Sequence, residues 1–505
     1  MMKKIYKVLS LSIVLSVFGC DGYLDEVPDN RTTLDSTEKV KELLVNAYPR
    51  AMYVFFTEYM SDNAGDKGIV RPDAVQMSLD SYFWEENFNY INQDSPQYFW
   101  NGCYSNIAVA NQALEALDEI EADEEEEKVL RAEARLTRAY AHFMLVSLWG
   151  KTYDPATSGS DPGVPLVTEP ETVVFADYER ASVREIYDFI EKEIEESIPE
   201  IRDEAYVPEA IKYHFNKEAA NAFACRFYLF KGDWENAEKY AGNIIGANVA
   251  SRLRDWNGYK VNSTFEELKA DYTDPSNRTN LLVTESLSWW GRRYTNQRYG
   301  ITIDIRDNVL QRHNPTGGSW AYRVFGSVGY YNVPKFEENF VPNTPGGSTG
   351  RGWLEFPLFS MEEVLLNRAE ARLMQGRNDE AIADLNIFYS KRILNYNDTH
   401  IVDAQGIIDY YSGNPAIVEE LDSYYDLPAD TKYILQAIVD ARRIEFIEEG
   451  LRWFDIRRFH IPITHRYGDS EYLLEQTPME MPGDSPMHQL QIPQTAMSVL
   501  EKNPR

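Results

Sequence analysis

Over most of its length the chain places apolar residues three or four positions apart, the spacing of one helix face, which predicts a mainly α protein. Val40, Leu43, Leu44 and Ala47 make the first such face, and Asp35 with Glu38 has capping-box spacing in front of it. A longer helical tract covers about 97–117, and the acidic run 124–127 reads as a solvated link between helices. Ser182 with Glu185 and Ser360 with Glu363 mark two more helix starts. Residues 61–81 have no clear period and hold the polar loop Asp62-Asn63-Ala64-Gly65-Asp66.

Two helix pairs share a plan. Segment 216–245 contains Leu229, Gly232, Asp233, Trp234 and Ala237; segment 360–388 contains Leu373, Gly376, Arg377, Asn378 and Ala381 in the same register. A glycine ends each first helix, where a left-handed residue costs least, and the alanine permits close approach of the second. This matches the turn of a tetratricopeptide unit, whose paired helices must stack to bury their apolar faces. The hexapeptide 131–136 recurs identically at 368–373, but the next glycines, Gly150 and Gly376, follow at different distances, so the two copies are not one aligned repeat. Between about 246 and 353 the helical rhythm lapses, with only short strand-like pieces such as 281–283, yet five of the ten tryptophans lie there. Long irregular segments are functional or disordered, and disorder is poor in aromatics, so function is favoured. The expected plan is a single domain, 34–505, with a helical scaffold over about 34–245 and 354–460 and a loop-rich lobe over about 246–353.

One apolar run has no helix period to serve. Residues 8–18 follow Lys3, Lys4 and Lys7 and stop at Gly19-Cys20, far short of the roughly twenty residues that span a membrane. This predicts an export signal over 1–19, with 20–33 as a polar tether. The formal charge of −31 repels phosphate backbones, so nucleic acid is not an expected partner. Besides Cys20 there are only Cys103 and Cys225; two cysteines make no disulfide framework, and both sit in apolar helical settings that predict buried free thiols.

Several stretches point in one direction. Gly19-Cys20 resembles the bacterial lipoprotein signal, and Cys20-Asp21-Gly22-Tyr23-Leu24-Asp25-Glu26-Val27-Pro28 looks like a post-lipidation segment. Arg138-Ala139-Tyr140 leads to Leu145 and Gly150, then Gly163-Val164-Pro165-Leu166, Tyr178, Arg180, Ser182-Val183 and Tyr187. Phe227-Tyr228-Leu229 runs into Gly232-Asp233-Trp234. Most specific is Arg442-Arg443-Ile444-Glu445-Phe446 continuing to Glu449-Gly450-Leu451-Arg452-Trp453-Phe454-Asp455-Ile456-Arg457-Arg458, with Ile492-Pro493 and Asn503-Pro504 closing the chain. Together these resemble the SusD/RagB family of Bacteroidetes outer-membrane lipoproteins, in order and over nearly all of the chain except 246–350. The resemblance implies tetratricopeptide-like helix pairs with a loop-rich lobe, a lipid anchor at Cys20, a place on the outer membrane facing the exterior, a glycan ligand, and a SusC-like TonB-dependent transporter as partner. Acyl chains contribute about 0.8 kcal/mol per buried CH₂, so two or more hold a protein on a membrane durably.

The C-terminal stretch also has a purely structural reading. Ile434, Ala437, Ile438, Ala441 and Ile444 make a buried stripe, Trp453 and Phe454 join the core, and Gly450 reverses the chain. Arg442, Glu445, Glu449 and Arg452 then tie neighbouring segments together, and none of them is assigned to ligand.

No catalytic constellation stands out: there is no HExxH, phosphate-binding glycine loop or G-x-S-x-G elbow, and His460 and His465 flank Pro462 unlike a helix-borne metal pair. With 81 acidic residues, a carboxylate pair at glycosidase separation is expected by chance and assigns nothing. No cofactor is expected, and the Asp62-Asn63-Asp66 loop lacks the twelve-residue EF-hand pattern, so it reads as a polar turn. Binding asks for flat rings against sugar C–H faces with amides or guanidinium groups beside them. Trp289 and Trp290 with Arg292 and Arg293, Trp320 with Tyr322, and Tyr82 and Trp84 with Asn87 supply that mixture, and these patches are expected to converge on one exposed shelf. The rival classes are a secreted glycoside hydrolase built on paired helices and a peptide-binding scaffold.

Overall fold

The computed structural model describes residues 34–68, 75–86, 90–171, 178–327, 329–347, 349–425, 427, 431–468 and 477–505. The expected signal, Cys20 and the tether fall outside them, as does Asn87. The fold is mainly helical, and the helix pairs read from the glycine turns are present. Lys217–Lys231 is followed by Trp234–Ile244 through Gly232 at φ 79°, and Met361–Met374 by Asn378–Arg392 through Gly376 at φ 75°. Helix Trp234–Ile244 packs on Met361–Met374, so the pairs stack. Their seam is polar, with Glu238 accepting from Arg372 at 2.9 Å and pairing with Arg377; inside the second pair Asp384 takes Arg368 at 2.6 Å. Each first helix buries nearly every side chain, which the stack on both sides demands.

The two turn glycines differ in surroundings, and this gives a first prediction. A Cβ at Gly376 meets nothing within 4 Å, whereas one at Gly232 falls 2.0 Å from the Tyr425 ring. Gly376→Ala is expected to cost about 1 kcal/mol from its left-handed backbone alone. Gly232→Ala adds the displacement of a packed ring and is expected to cost roughly 1–3 kcal/mol more. Urea unfolding of the two variants reads the difference, and equal midpoints would contradict it.

Local differences from the sequence reading have plain causes. The first helix, Thr37–Leu44, is capped by Ser36, which accepts from the Lys39 amide, while Asp35 forms a 2.6 Å ion pair with Lys39. The acids 124–127 are not a link: they form the first turn of helix Glu124–Trp149, capped by Asp123, where the helix dipole favours negative charge. Ser182 and Glu185 form the full capping box; Ser360 caps Glu363, but the Glu363 carboxylate turns away to pair with Arg226 at 2.5 Å. Segment 246–353 is less irregular than expected, since helices Trp256–Asn262 and Phe265–Thr273 lie within it, the second opened by a Thr264–Glu267 capping box.

That segment also builds a three-stranded antiparallel sheet. Gly350–Ser360 lies centrally between Asn280–Ser286 and Asn339–Pro342, with Glu285 opposite Glu355, Asn339 opposite Trp353 and Val341 opposite Arg351. The central strand runs straight into the Ser360 cap, which fixes the sheet to the second helix pair.

The C-terminal stretch is core. Ile434, Ala437, Ile438, Ala441, Ile444, Trp453 and Phe454 are buried, and Gly450 turns the chain at φ 74°. Its charged residues reach distant segments: Arg442 to Asp455 and Asn367, Glu445 to Arg392, Glu449 to Lys335, Arg452 to Asp62 and Glu419. Cys103 and Cys225 are buried free thiols, and burial pushes the Cys225 thiol up to about 12. Among the described residues no helix is long and apolar enough to cross a membrane.

Candidate functional site

Five of the rings expected on an exposed shelf are interior. Tyr82 is sandwiched between Tyr299 and His465, at 4.0 and 4.1 Å between ring centres, and its hydroxyl donates to the Arg466 carbonyl at 2.8 Å. Trp84 stacks on His465 at 4.4 Å and donates to the Met60 carbonyl, with its backbone held at φ 53°. Trp290 packs on Phe55, Tyr59 and Tyr294, and its indole donates to the Glu448 carbonyl. Trp320 and Tyr322 are buried together against Tyr389 and Trp256, and the Tyr322 hydroxyl donates to Glu445 at 2.5 Å. The expected single shelf of these rings is therefore corrected: their faces meet protein and most of their polar tips have protein acceptors. The physical reason is that a lobe with few long helices fills its own core with its largest side chains.

Trp289 and Arg292 are different. The buried Asp94 carboxylate accepts from Ser288 Oγ at 2.5 Å and from the Trp289 amide at 2.6 Å, and burial pushes its carboxyl up to about 7. This fixes the start of the single turn Trp290–Arg293, driving Trp290 into the core and leaving Trp289 half-buried at the surface. The Arg293 guanidinium lies 5.7 Å from the centre of the Trp289 ring. Arg292, about 44% exposed, grips Glu338 through Nε and Nη2 at 2.5–2.8 Å. A Cβ at residue 352 would fall 2.1 Å from Glu338 Oε1 and 2.7 Å from Arg292 Nη2, so Gly352 is what lets the pair lie against the strand. Exposed Phe340 sits 6.0 Å from the Arg292 guanidinium.

The sheet carries further members that the sequence reading missed. Arg351 and Arg50 converge on one Glu285 oxygen at 2.9 and 3.2 Å. Half-buried Tyr98 lies among Asp94, Arg50 and Arg351, its hydroxyl raised by burial first and by Asp94 second. Half-buried Trp353 shares the strand face of Arg351 and Glu355 by simple alternation. The alternation Arg351-x-Trp353-x-Glu355 was the available signal for such a face; Arg50, more than two hundred positions away in sequence, had none. Gly352 alternates with Arg351 and Trp353, so the Arg292–Glu338 pair and Phe340 lie on one face of the strand and Arg351, Trp353 and Glu355 on the other.

The Asp62 loop is closed by arginines. Burial would raise the Asp62 carboxyl, but Arg443 and Arg452 hold it well below the usual carboxylate range, and Asp66 takes Arg298 at 2.8 Å. Among the described residues no group of three or more histidine, cysteine or acidic side chains is placed to hold a metal ion.

Two family profiles cover most of this chain: residues 22–229 match one described as starch-binding associating with outer membrane, and residues 321–498 match the SusD family. The chain belongs to the SusD/RagB family. It is 22% identical to a SusD-like protein of Formosa agariphila over 90% of this chain and 92% of that one. Among solved SusD-like folds, a putative sugar binding protein from Bacteroides vulgatus superposes with a TM-score of 0.64 at 20% identity, covering 94% of this chain and 99% of the other. A laminarin-binding SusD-like protein superposes at 0.61 and 17% identity, covering 93% and 99%. The SusD/RagB architecture thus extends through segment 246–353, where no sequence motif had matched.

Proposed function

We propose that this SusD/RagB protein is an outer-membrane lipoprotein, anchored through Cys20 and facing the exterior, that binds oligo- or polysaccharide without cleaving it. It delivers that glycan to a SusC-like TonB-dependent transporter for import. The observation that carries the reading is Trp289: a half-exposed indole flanked by Arg292 and Arg293, held in place by the buried Asp94 and Trp290. An aromatic face with hydrogen-bond donors beside it suits retention of a sugar. The laminarin-binding and sugar-binding descriptions of the similar folds support the same class of ligand.

Affinity electrophoresis of the purified protein against a polysaccharide panel tests it, with released reducing sugar assayed in parallel. Trp289→Ala is expected to reduce retention on the cognate glycan at least tenfold while circular dichroism stays unchanged. Retention by Trp289→Ala equal to the parent would remove this patch from the site, and sugar release would favour the hydrolase. Radiolabelled palmitate is expected to enter the parent and not Cys20→Ala.

A further inference from the structure

We propose that Asp94 is the positioning residue of Trp289 and that its charge makes glycan retention rise with pH across neutrality; this rests on the glycan-binding reading and adds its regulation. Asp94 is fully buried, so it acts through the ring and not on the sugar. It stands third in the turn Asn92–Ser95, which the Ser95 amide closes on the Asn92 carbonyl at 3.1 Å. Its φ of 70° is one that glycine adopts at least cost. Glycine would relieve the backbone and asparagine would remove a buried charge, but glycine has no side-chain acceptor and asparagine has a single acceptor oxygen. Two are used here, one for the Ser288 hydroxyl and one for the Trp289 amide.

Those bonds reach the ring through the backbone. The Trp289 carbonyl accepts from the amides of Arg292 and Arg293 at 3.1 and 3.0 Å, so Asp94 holds the residue on one side and the turn on the other. Ser288 Oγ accepts from the Trp290 amide at 3.0 Å, which directs its own hydrogen to Asp94. A proton on either Asp94 oxygen would point at a donor. The amide hydrogen cannot turn away, and the serine would give up the one acceptor it has among the described residues. Protonation thus loosens the start of the turn.

Burial pushes the Asp94 carboxyl up to about 7; Ser288, Trp289 and Arg293 draw it down and Glu338 adds to the rise, so the change falls near neutrality. Besides Arg293 and Glu338, the groups that sense Asp94 are Tyr98 of the helix Pro96–Glu119 and Tyr59 of the helix Val54–Met60. Burial holds both tyrosine hydroxyls above their ordinary value near 10, so neither changes charge in this window. Glu58 and Glu448, whose carboxyls burial also raises, interact with Tyr59, which makes Glu58→Gln a control for their titration. Above about pH 7 the carboxylate holds the ring and the glycan is retained; below it the turn loosens and retention falls. By linkage, glycan binding draws the carboxyl down and releases a proton.

Calorimetry from about pH 5.5 to 8.5 tests this, with laminarin, which has no titrating group, and with the polysaccharide that the panel retains best. The parent is expected to bind roughly fivefold more weakly at the acid end, the low end of coupling between sites. Asp94→Asn is expected to bind at every pH as weakly as the parent does in acid, with circular dichroism unchanged, and Glu58→Gln to keep the parent's slope. The parent itself, titrated near pH 7 in phosphate and in Tris, whose ionisation heats differ, is expected to release protons on binding, a measurement that needs no variant to fold. An affinity independent of pH, or no proton release, would overturn the inference and leave the glycan-binding reading standing. A slope that survives in Asp94→Asn, or is lost in Glu58→Gln, would overturn the assignment to Asp94. Failure to retain any polysaccharide at any pH would overturn both.

Discussion

Replacing Arg392 with methionine is expected to destabilise the fold by about 3–5 kcal/mol, because it strands the buried Glu445 carboxylate and takes one of two cations from Glu362. Arg392 is fully buried; it grips Glu445 at 2.7 and 2.9 Å, reaches Glu362 at 3.0 Å and donates to the Arg254 carbonyl. Burial raises the Glu362 carboxyl, but Arg392 and Arg254 outweigh it and pull it down to about 2. With the guanidinium gone, Glu445 keeps only the Tyr322 hydroxyl, a neutral donor, while Glu362 keeps the Arg254 amide, Thr279 and the attraction of the Arg254 guanidinium. The double variant R392M/E445Q is expected to recover part of the loss, since one of those charges becomes neutral. Guanidinium chloride unfolding checks both, and an R392M midpoint equal to the parent would refute the role given to the cluster. Tyr322→Phe, which removes one charge-assisted hydrogen bond, is expected to cost about 1.5–3 kcal/mol and to leave glycan retention intact. That result would separate a ring that holds the core from one that holds ligand.

The contrast between Tyr322 and Trp289 shows where sequence reading succeeds and where it stops. Helix pairs were legible because periodicity and a turn glycine are local: Leu229-x-x-Gly232 and Leu373-x-x-Gly376 each carry their own backbone instruction. The C-terminal stripe was legible for the same reason. The acids 124–127 misled because a charge run looks alike in a linker and in a helix start, and the distinction lay in Asp123, one residue before it. Ring exposure was not legible at all. Trp289 and Trp290 are adjacent, yet one is half-exposed and the other interior, and what divides them is Asp94, nearly two hundred residues earlier in the chain. Likewise Trp320 and Tyr322 stand in a glycine-rich stretch that looks like a surface loop. Their burial follows from Arg392 and Glu445, which no local pattern connects to them. Family resemblance reached the architecture because its motifs are mostly these structural ties. It did not reach Trp289 and Arg292, whose setting is assembled from Asp94, Glu338 and Gly352 across the sheet.

Glu58 offers the second large effect, and its sign can be worked out. Its carboxylate is buried and accepts from the amides of Glu448 and Gly450 at 2.6 and 2.9 Å, with Lys335 attracting and Glu449 repelling it. Burial dominates and pushes its carboxyl up to about 7 from an ordinary value near 4.5. Glu448 beside it is raised as well, again chiefly by burial. Below about pH 4.5 Glu58 is protonated whether the chain is folded or not, and it contributes no pH dependence. Between about pH 4.5 and 7 the folded state keeps a proton that the unfolded state has released, so each step up in pH weakens the fold; above 7 the loss is complete. The gap of roughly 2.5 pH units corresponds to about 3 kcal/mol. Whole-protein stability does not display this directly, because the buried neutral His142 and His488, held down to about 3 by burial, act in the opposite sense below pH 6.5. The difference between Glu58→Gln and the parent isolates it. Glutamine loses one of the two amide hydrogen bonds at every pH, a constant offset, but it does not titrate. Relative to the parent, Glu58→Gln is therefore expected to gain about 3 kcal/mol between pH 4.5 and 8. Urea unfolding of both proteins at half-unit pH steps measures the gain, and a difference that stays flat across that window would mean that Glu58 ionises in the fold as it does in the open chain.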